Sequence, residues 1–301
     1  MHKRSVNPYV LVVIGVLAVS SSAIFVKFST APAPVIAFYR LLFTNIIMLP
    51  LFIWKYKKEL RLISKKDWLY SIISGVFLAF HFILWFESLN YTSVASSTVL
   101  VTLQPLFAFV GAYFFFKEKF RLASILSGLL GIFGSIIISW GDFRISGMAL
   151  YGDVLALVAC GMITAYLLFG QTVRKRLSLI TYTFVVYGIS TVTLFLYVIL
   201  FGYSFYPYPM EDWLLFILLA IIPTLLGHTL FNWSLKWLST STISIAILFE
   251  PVGAAILAYY LLHEAIVWTQ IVGGVVIIIG IAFYTISERK GYQKALKKRQ
   301  S

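Results

Sequence analysis

Apolar runs of about 20 residues, almost free of charge, alternate with short polar connections along the whole chain. Each run is long enough to cross a bilayer as an α-helix. The pattern predicts ten spans, at approximately 8–28, 34–54, 68–88, 93–115, 122–140, 150–171, 180–202, 213–235, 241–262 and 266–286. An outer-membrane barrel would show shorter alternating stretches, and these are absent. The fold class expected is an all-α polytopic membrane protein with no inserted soluble domain. The opening stretch, MHKRSVNPYVLVVIGVLAVSSSA, has the basic, apolar and small-residue order of a signal peptide. Its apolar character continues through Phe25 and many spans follow, so it reads as an uncleaved first helix.

Composition sharpens this picture. The 301 residues are 60% hydrophobic and only 12% charged, about half the charged fraction of a soluble domain. The net charge of +13 would suit a nucleic-acid partner by magnitude, but its distribution does not. Basic residues sit in alternate connections: Lys55, Lys57, Lys58, Arg61, Lys65 and Lys66, then Lys117, Lys119 and Arg121, then Arg174, Lys175 and Arg176, then Lys236. The end, ERKGYQKALKKRQS, adds a basic tail, while the opposite side carries only Arg144 and Lys27. By the positive-inside rule both termini are cytoplasmic and the chain is a multi-pass protein of the plasma membrane. Its expected partners are the lipid bilayer and a small-molecule substrate. The single Cys160 lies in an apolar run, so no internal disulfide forms, and no metal site or cofactor is signalled.

The chain also repeats itself. A shift of 146 positions brings Gln104-Pro105 onto Glu250-Pro251, Ser93 onto Ser239, and Ala112-Tyr113 onto Ala258-Tyr259. The same shift brings Glu118 onto Glu264, Gly128 onto Gly274 and Gly134 onto Gly280. Two five-helix repeats are expected, at 1–141 and 142–287, followed by the tail at 288–301. Five is odd, so the second repeat enters the membrane upside down relative to the first. Inverted repeats are a signature of secondary transporters, whose sites lie near the midplane between the halves.

Two segments carry a family resemblance: SLNYTSVASSTVLVTLQPLFAFVGAYFFFKEKFRLASILSGLLGIFG and SLKWLSTSTISIAILFEPVGAAILAYYLLHEAIVWTQIVGGVVIIIG. With a small-polar start, a proline in mid-helix, a glutamate after the span and a Gly-rich closing helix, each resembles an EamA domain of the drug/metabolite transporter superfamily. Ala265–Val267 departs from the basic residue often found there. The resemblance implies ten helices, the first four of each half around a central cavity and the fifth and tenth packing at one end. It further implies export of small metabolites, often amino acids or related compounds.

Polar residues inside apolar runs are the candidate site. An ionisable group at the centre of a membrane helix costs roughly 2.5–3.5 kcal/mol on insertion scales, so it tends to mark a pathway. Glu250 and Gln104 each precede a proline, and Pro105 and Pro251 would disturb the carbonyls of Val101 and Ile247 and supply a hinge. Glu250 can exchange a proton and is the coupling candidate. His228 and Asn232 share one helical face, as do His81 and Trp85. They contact substrate or tie helices together. Arg40 snorkels to the outer interface, neutralises a substrate carboxylate, or pairs with Glu250. Trp85 and Tyr166 are candidate cavity walls. A stripe of Ala123, Ser127, Gly131 and Ser135 permits close packing, within the chain or in a homodimer.

The chain has no P-loop, so ATP-driven transport is not indicated. Two alternatives to an exporter remain. One is an intramembrane lipid-modifying enzyme using His81, His228 and Glu250, although no catalytic motif accompanies them. The other is a sugar-phosphate or nucleotide-sugar exchanger, for which Arg40 is the sole clear intramembrane cation.

Overall fold

A computed structural model describes residues 7–117, 120, 122–140, 147–263 and 268–300, and among these all regular structure is helical. The described residues group into helical stretches, numbered in chain order. They are α1 (Pro8–Phe28), α2 (Ala33–Leu62), α3 (Lys65–Ser88), α4 (Val94–Phe116), α5 (Leu122–Ser139), α6 (Met148–Arg174), α7 (Leu179–Leu200), α8 (Met210–Ser234), α9 (Thr240–Leu262) and α10 (Trp268–Gln300). Eight have the length and composition to cross a membrane; the apolar parts of α5 and α10 are shorter, Leu122–Gly134 and Ile271–Tyr284. Glu118, Lys119, Arg121, Arg144, Glu264–Val267 and the side chains of Ser135 and the tail lie outside the described residues.

Several helices depart from simple rods. The first breaks at Ser20-Ser21, giving segments Pro8–Val19 and Ser22–Phe28. Beyond Pro50, α2 continues as a π turn at Phe52–Tyr56 and a 3-10 stretch to Leu62, past the end expected at 54. Pro223 likewise sits within the π segment Ala220–His228 of α8. Pro223 withholds a donor and crowds the carbonyl four residues back, and the wider π turn around it accommodates the loss, whereas the π turn after Pro50 begins two residues beyond it. The last helix runs on through the basic tail to Gln300, a stretch of lysine, glutamine and alanine with good helix propensity.

The 146-residue shift holds in the backbone. Helix starts 33, 94 and 122 map onto 179, 240 and 268, and ends 88 and 116 onto 234 and 262. Ser93 caps α4 by accepting from the Ser96 amide at 3.0 Å, and Ser239 caps α9 from the Thr242 amide at 3.3 Å. Lys117 and His263, again equivalent, both end their helices in the left-handed region, at φ 54° and 56°. Both α4 and α9 break in the middle, at Thr102-Leu103 and Leu248-Phe249.

Packing follows the same exchange of halves. α5 lies along α10, α2 against α7, and α4 against α9, each pair mapping onto itself; α3 on α6 maps onto α8 on α1. Asn45 of α2 donates to Thr191 of α7, its own equivalent, at 3.0 Å. A Cβ added at Gly134 would meet the Gly273 carbonyl at 2.7 Å and the Ile277 amide at 3.0 Å. At the equivalent Gly280 it would meet the carbonyl of Ser127 at 3.1 Å and the amide of Gly131 at 3.3 Å, the residues equivalent to 273 and 277. Only small residues permit backbones this close. Gly131 also faces Leu248 of α9, so this position of the small-residue stripe packs inside the chain.

Candidate functional site at the interface of the repeats

The breaks in α4 and α9 shape the site. Each second segment restarts at the polar residue, Gln104 or Glu250, with its proline in the first turn. Pro105 and Pro251 are therefore not kinks within continuous helices, as expected from sequence, but first-turn residues, where a missing N–H costs least. Glu250 thus stands at the N-terminus of the 13-residue segment Glu250–Leu262. Unsatisfied N–H groups and the helix dipole favour negative charge there. The Ser20 hydroxyl, at the break in α1, donates to the carbonyl of Glu250 at 3.3 Å. A Cβ on Gly253, one turn further on, would run into that same serine.

Five candidates meet at one cavity. His81 and Trp85 from α3, Gln104 from α4, His228 from α8 and Glu250 from α9 line it, together with Ser22 of α1. Its volume is about 20 Å³, room for a water molecule and far below the few hundred Å³ of a metabolite pocket. The His81 Nδ1 lies 3.0 Å from the carbonyl of Ala159, and its ring stacks near Trp85 at 5.7 Å. The two histidine rings are 6.5 Å apart. Trp85 Nε1 and Gln104 Oε1 are buried without a hydrogen-bond partner.

Arg40 stands directly behind Ser22. Its Nη1 donates to the Ser22 hydroxyl at 2.9 Å and its Nε to the Thr224 hydroxyl at 2.7 Å. The guanidinium lies over the Phe82 ring at 4.1 Å, and Nη2 has no partner. With 0% exposure it does not snorkel. Nor does it pair directly with Glu250, because the one ion pair among the described residues is Arg176–Asp67. Arg40 is nevertheless close enough to act electrostatically on Glu250, His81 and His228. Arg40, with one nitrogen unpartnered, and Glu250 are thus both buried without a direct ion pair between them.

Asn232 and Tyr166 lie outside the cavity lining, in a layer toward the end of the bundle that carries Arg174. Asn232 Nδ2 donates to the hydroxyls of Tyr166 and Tyr187 (the latter at 3.4 Å) and to the carbonyl of His228 at 2.9 Å. Arg174 Nε donates to the Asn232 carbonyl at 2.8 Å. Ser74 links Tyr182 to the backbone of Tyr166, at 3.0 and 3.1 Å. The repeat places Ser20, Leu41, Phe86 and Phe28 where Tyr166, Tyr187, Asn232 and Arg174 stand. One side of the cavity is thus sealed by a hydrogen-bonded layer and the other mainly by apolar side chains, with Leu41 and Phe86 fully buried.

Both ends of the bundle are also joined across the halves. At the Arg174 end, Arg176 pairs with Asp67, and Glu59 accepts from the Ser178 amide at 2.8 Å and from the Ser178 and Thr181 hydroxyls. At the other end Asp212 accepts from Ser29 and from the Thr30 hydroxyl, each at 2.6 Å. Tyr39 there donates to the Phe205 carbonyl at 2.9 Å. Contacts between the halves thus lie at both ends of the bundle, with a water-sized space between them. Among the described residues no group of three metal-ligating side chains occurs.

Residues 7–140 and 150–286 each match the EamA-like transporter family. The chain belongs to that family. Similar proteins include the uncharacterized transporter YxxF of Bacillus subtilis (strain 168), 28% identical over 96% of this chain and 92% of that one. An uncharacterized transporter of Archaeoglobus fulgidus is 23% identical over 85% of this chain and 88% of its own. A solved crystal structure superposes with a TM-score of 0.76 over 94% of this chain and 98% of that one, at 18% identity, a likeness of fold. The matches make this EamA-like chain a multi-pass membrane transporter, and a transporter's name accords with an absence of catalysis. Sequence reasoning missed Ser20, Ser22, Thr224 and Tyr187 around the site of this transporter. The run Ser20-Ser21-Ser22 was the readable signal, a polar interruption in an otherwise apolar first helix.

Proposed function

We propose that this chain is a secondary transporter that exports a small metabolite, such as an amino acid or related compound, by alternating access. Its ten helices span the plasma membrane as two inverted repeats, 1–141 and 142–287, with both termini and the tail at 288–301 in the cytoplasm. The observation that carries the reading is Glu250 at the start of a half-helix, in a closed cavity between the repeats, with Arg40 held near but unpaired. Broken helices at equivalent places in two halves are how transporters put charge and a hinge at one midplane site.

In this mechanism the breaks at Thr102-Leu103 and Leu248-Phe249 let the outer and inner halves of α4 and α9 move separately. Opening enlarges the cavity and admits substrate to His81, Trp85, Gln104, His228 and Glu250. Arg40 supplies positive charge behind Ser22, and Asn232 and Tyr166 hold the layer that must part on one side. Glu250 takes up or releases the coupling proton as its surroundings alternate. The test is to express the wild type and Glu250→Gln at equal membrane levels and profile metabolites in medium and cytoplasm. A compound that accumulates outside only with the wild type supports export and ties Glu250 to the cycle. Equal export by both removes Glu250 from coupling. A change in membrane lipids without any soluble metabolite moving refutes the transport reading.

A further inference from the structure

A second cavity, of about 210 Å³, opens at the Arg174 end of the bundle, away from the central site. Lys66 and Tyr70 of α3, Phe115 and Phe116 of α4, and Phe169 and Thr172 of α6 line it, so its walls come from both halves. The apolar side is an aromatic wall: Phe169 meets Tyr70 at 5.4 Å and Phe115 at 5.6 Å, both edge-on. Phe115 is 63% exposed and faces outward. The other side is cationic. Lys66 Nζ lies 5.4 Å above the Tyr70 ring, and Lys175 Nζ lies 6.0 Å from the Phe116 ring.

No described carboxylate lines this space. Asp67, next in sequence to Lys66, is engaged by Arg176 and by Ser64. Glu59 is taken up by Ser178 and Thr181. Among the described residues, no carboxylate is paired with Lys66 in the lining of the aromatic recess or with Lys175 beside Phe116, at the level where an apolar helix surface gives way to basic connections. The chemistry that complements it is a phosphate diester joined to hydrocarbon, with the charge at the lysines and the first methylenes against Phe115 and Phe169.

We propose that this cavity binds the headgroup of an anionic phospholipid, which bridges α3 and α4 of the first half to α6 of the second. The proposal stands whatever the transported substrate is. It is tested on the full chain reconstituted in bilayers of equal phosphatidylglycerol and phosphatidylcholine, then extracted, with the retained lipids quantified by mass spectrometry. The wild type is expected to retain phosphatidylglycerol in excess. Lys66→Gln with Lys175→Gln is expected to weaken that retention roughly thirty-fold, two lysines at about one kcal/mol each. Lys57→Gln with Lys58→Gln removes the same charge from the same end and is expected to leave retention intact. Equal retention of both lipids by the wild type overturns the proposal without any variant. So does an equal loss in both double variants, which reduces the effect to general charge attraction. Displacement of the lipid by inorganic phosphate overturns it in favour of a soluble phosphate ligand.

Discussion

Replacing Arg40 by methionine separates a functional charge from a structural brace. The two charge-assisted hydrogen bonds, to Thr224 at 2.7 Å and Ser22 at 2.9 Å, contribute about 1.5–3 kcal/mol each. The stack over Phe82 at 4.1 Å adds about 2 kcal/mol. Against these stands the desolvation of a guanidinium with no exposed surface and one unpartnered nitrogen, a cost of several kcal/mol for a buried ion. The opposing terms are similar in size. Methionine keeps the length of the side chain and sets its sulfur against Phe82. Thr224 still donates to the Leu219 carbonyl at 2.8 Å. Arg40→Met is therefore expected within about 2 kcal/mol of the wild type, or roughly 4–8 °C in unfolding midpoint. Arg40→Ala leaves a void worth about 2–5 kcal/mol more. The assay pairs thermal unfolding of the detergent-solubilised variants with metabolite export from cells at matched expression. Export by Arg40→Met should be lost although the protein is stable. A midpoint as low as that of Arg40→Ala would show Arg40 to be a brace, and wild-type export by Arg40→Met would show its charge to be idle.

Four further outcomes follow from the packing. Gly134→Ala drives a methyl group into the α10 backbone at the Gly273 carbonyl and the Ile277 amide, which cannot swing aside even if the Ile277 side chain does, and should destabilise by about 1–3 kcal/mol; Gly188→Ala, with nothing within 4 Å, should stabilise by about 0.5–1 kcal/mol. Thermal midpoints of the two variants side by side check both signs. Asn232→Leu removes the donor shared by Tyr166, Tyr187 and the His228 carbonyl and should lower stability by about 1–3 kcal/mol. Cysteine accessibility probed from the Arg174 end should rise in that variant, and an unchanged labelling rate would count against the hydrogen-bonded layer as a seal. Asp67→Asn breaks an ion pair whose arginine is 49% exposed but whose aspartate is only 5% exposed, so it should cost about 1–3 kcal/mol, more than a surface pair, and high salt should leave most of that difference in place.

The scaffold was legible in the sequence to an unusual degree, because duplication writes the same local rules twice. Ser93 and Ser239 announce helix starts, and Gln104-Pro105 and Glu250-Pro251 announce paired disturbances, which the structure turns into helix breaks. The gathering of His81, Trp85, Gln104, His228 and Glu250 around one cavity followed from asking where costly polar groups hide in an apolar chain. Other features were not legible, for physical reasons. Serines are nearly neutral in helices, so the run Ser20-Ser21-Ser22 marks a polar spot in the first helix without saying that the helix breaks there. A long arginine two turns from an interface can point either way, and only the positions of Ser22, Thr224 and Phe82 decide that Arg40 turns inward. Asn232 and Tyr166 fell one layer outside the cavity because helical periodicity assigns a face and not a depth.

On the proposed mechanism, the pair formed by Gln104 and Glu250 limits how hard this transporter can pump. A perfectly symmetric duplication would have put the same group in both half-helices; here one half carries a carboxylate and the other an amide, which cannot release a proton. If Glu250 alone carries the coupling ion, each cycle moves one proton and no more. One charge falling through 100 mV yields about 2.3 kcal/mol, enough to hold a neutral substrate at a gradient of about fifty-fold. Gln104→Glu restores the missing carboxylate, and with it the prospect of a second proton per cycle and a steeper gradient. On that proposal, a single amide nitrogen sets the gear ratio of the machine.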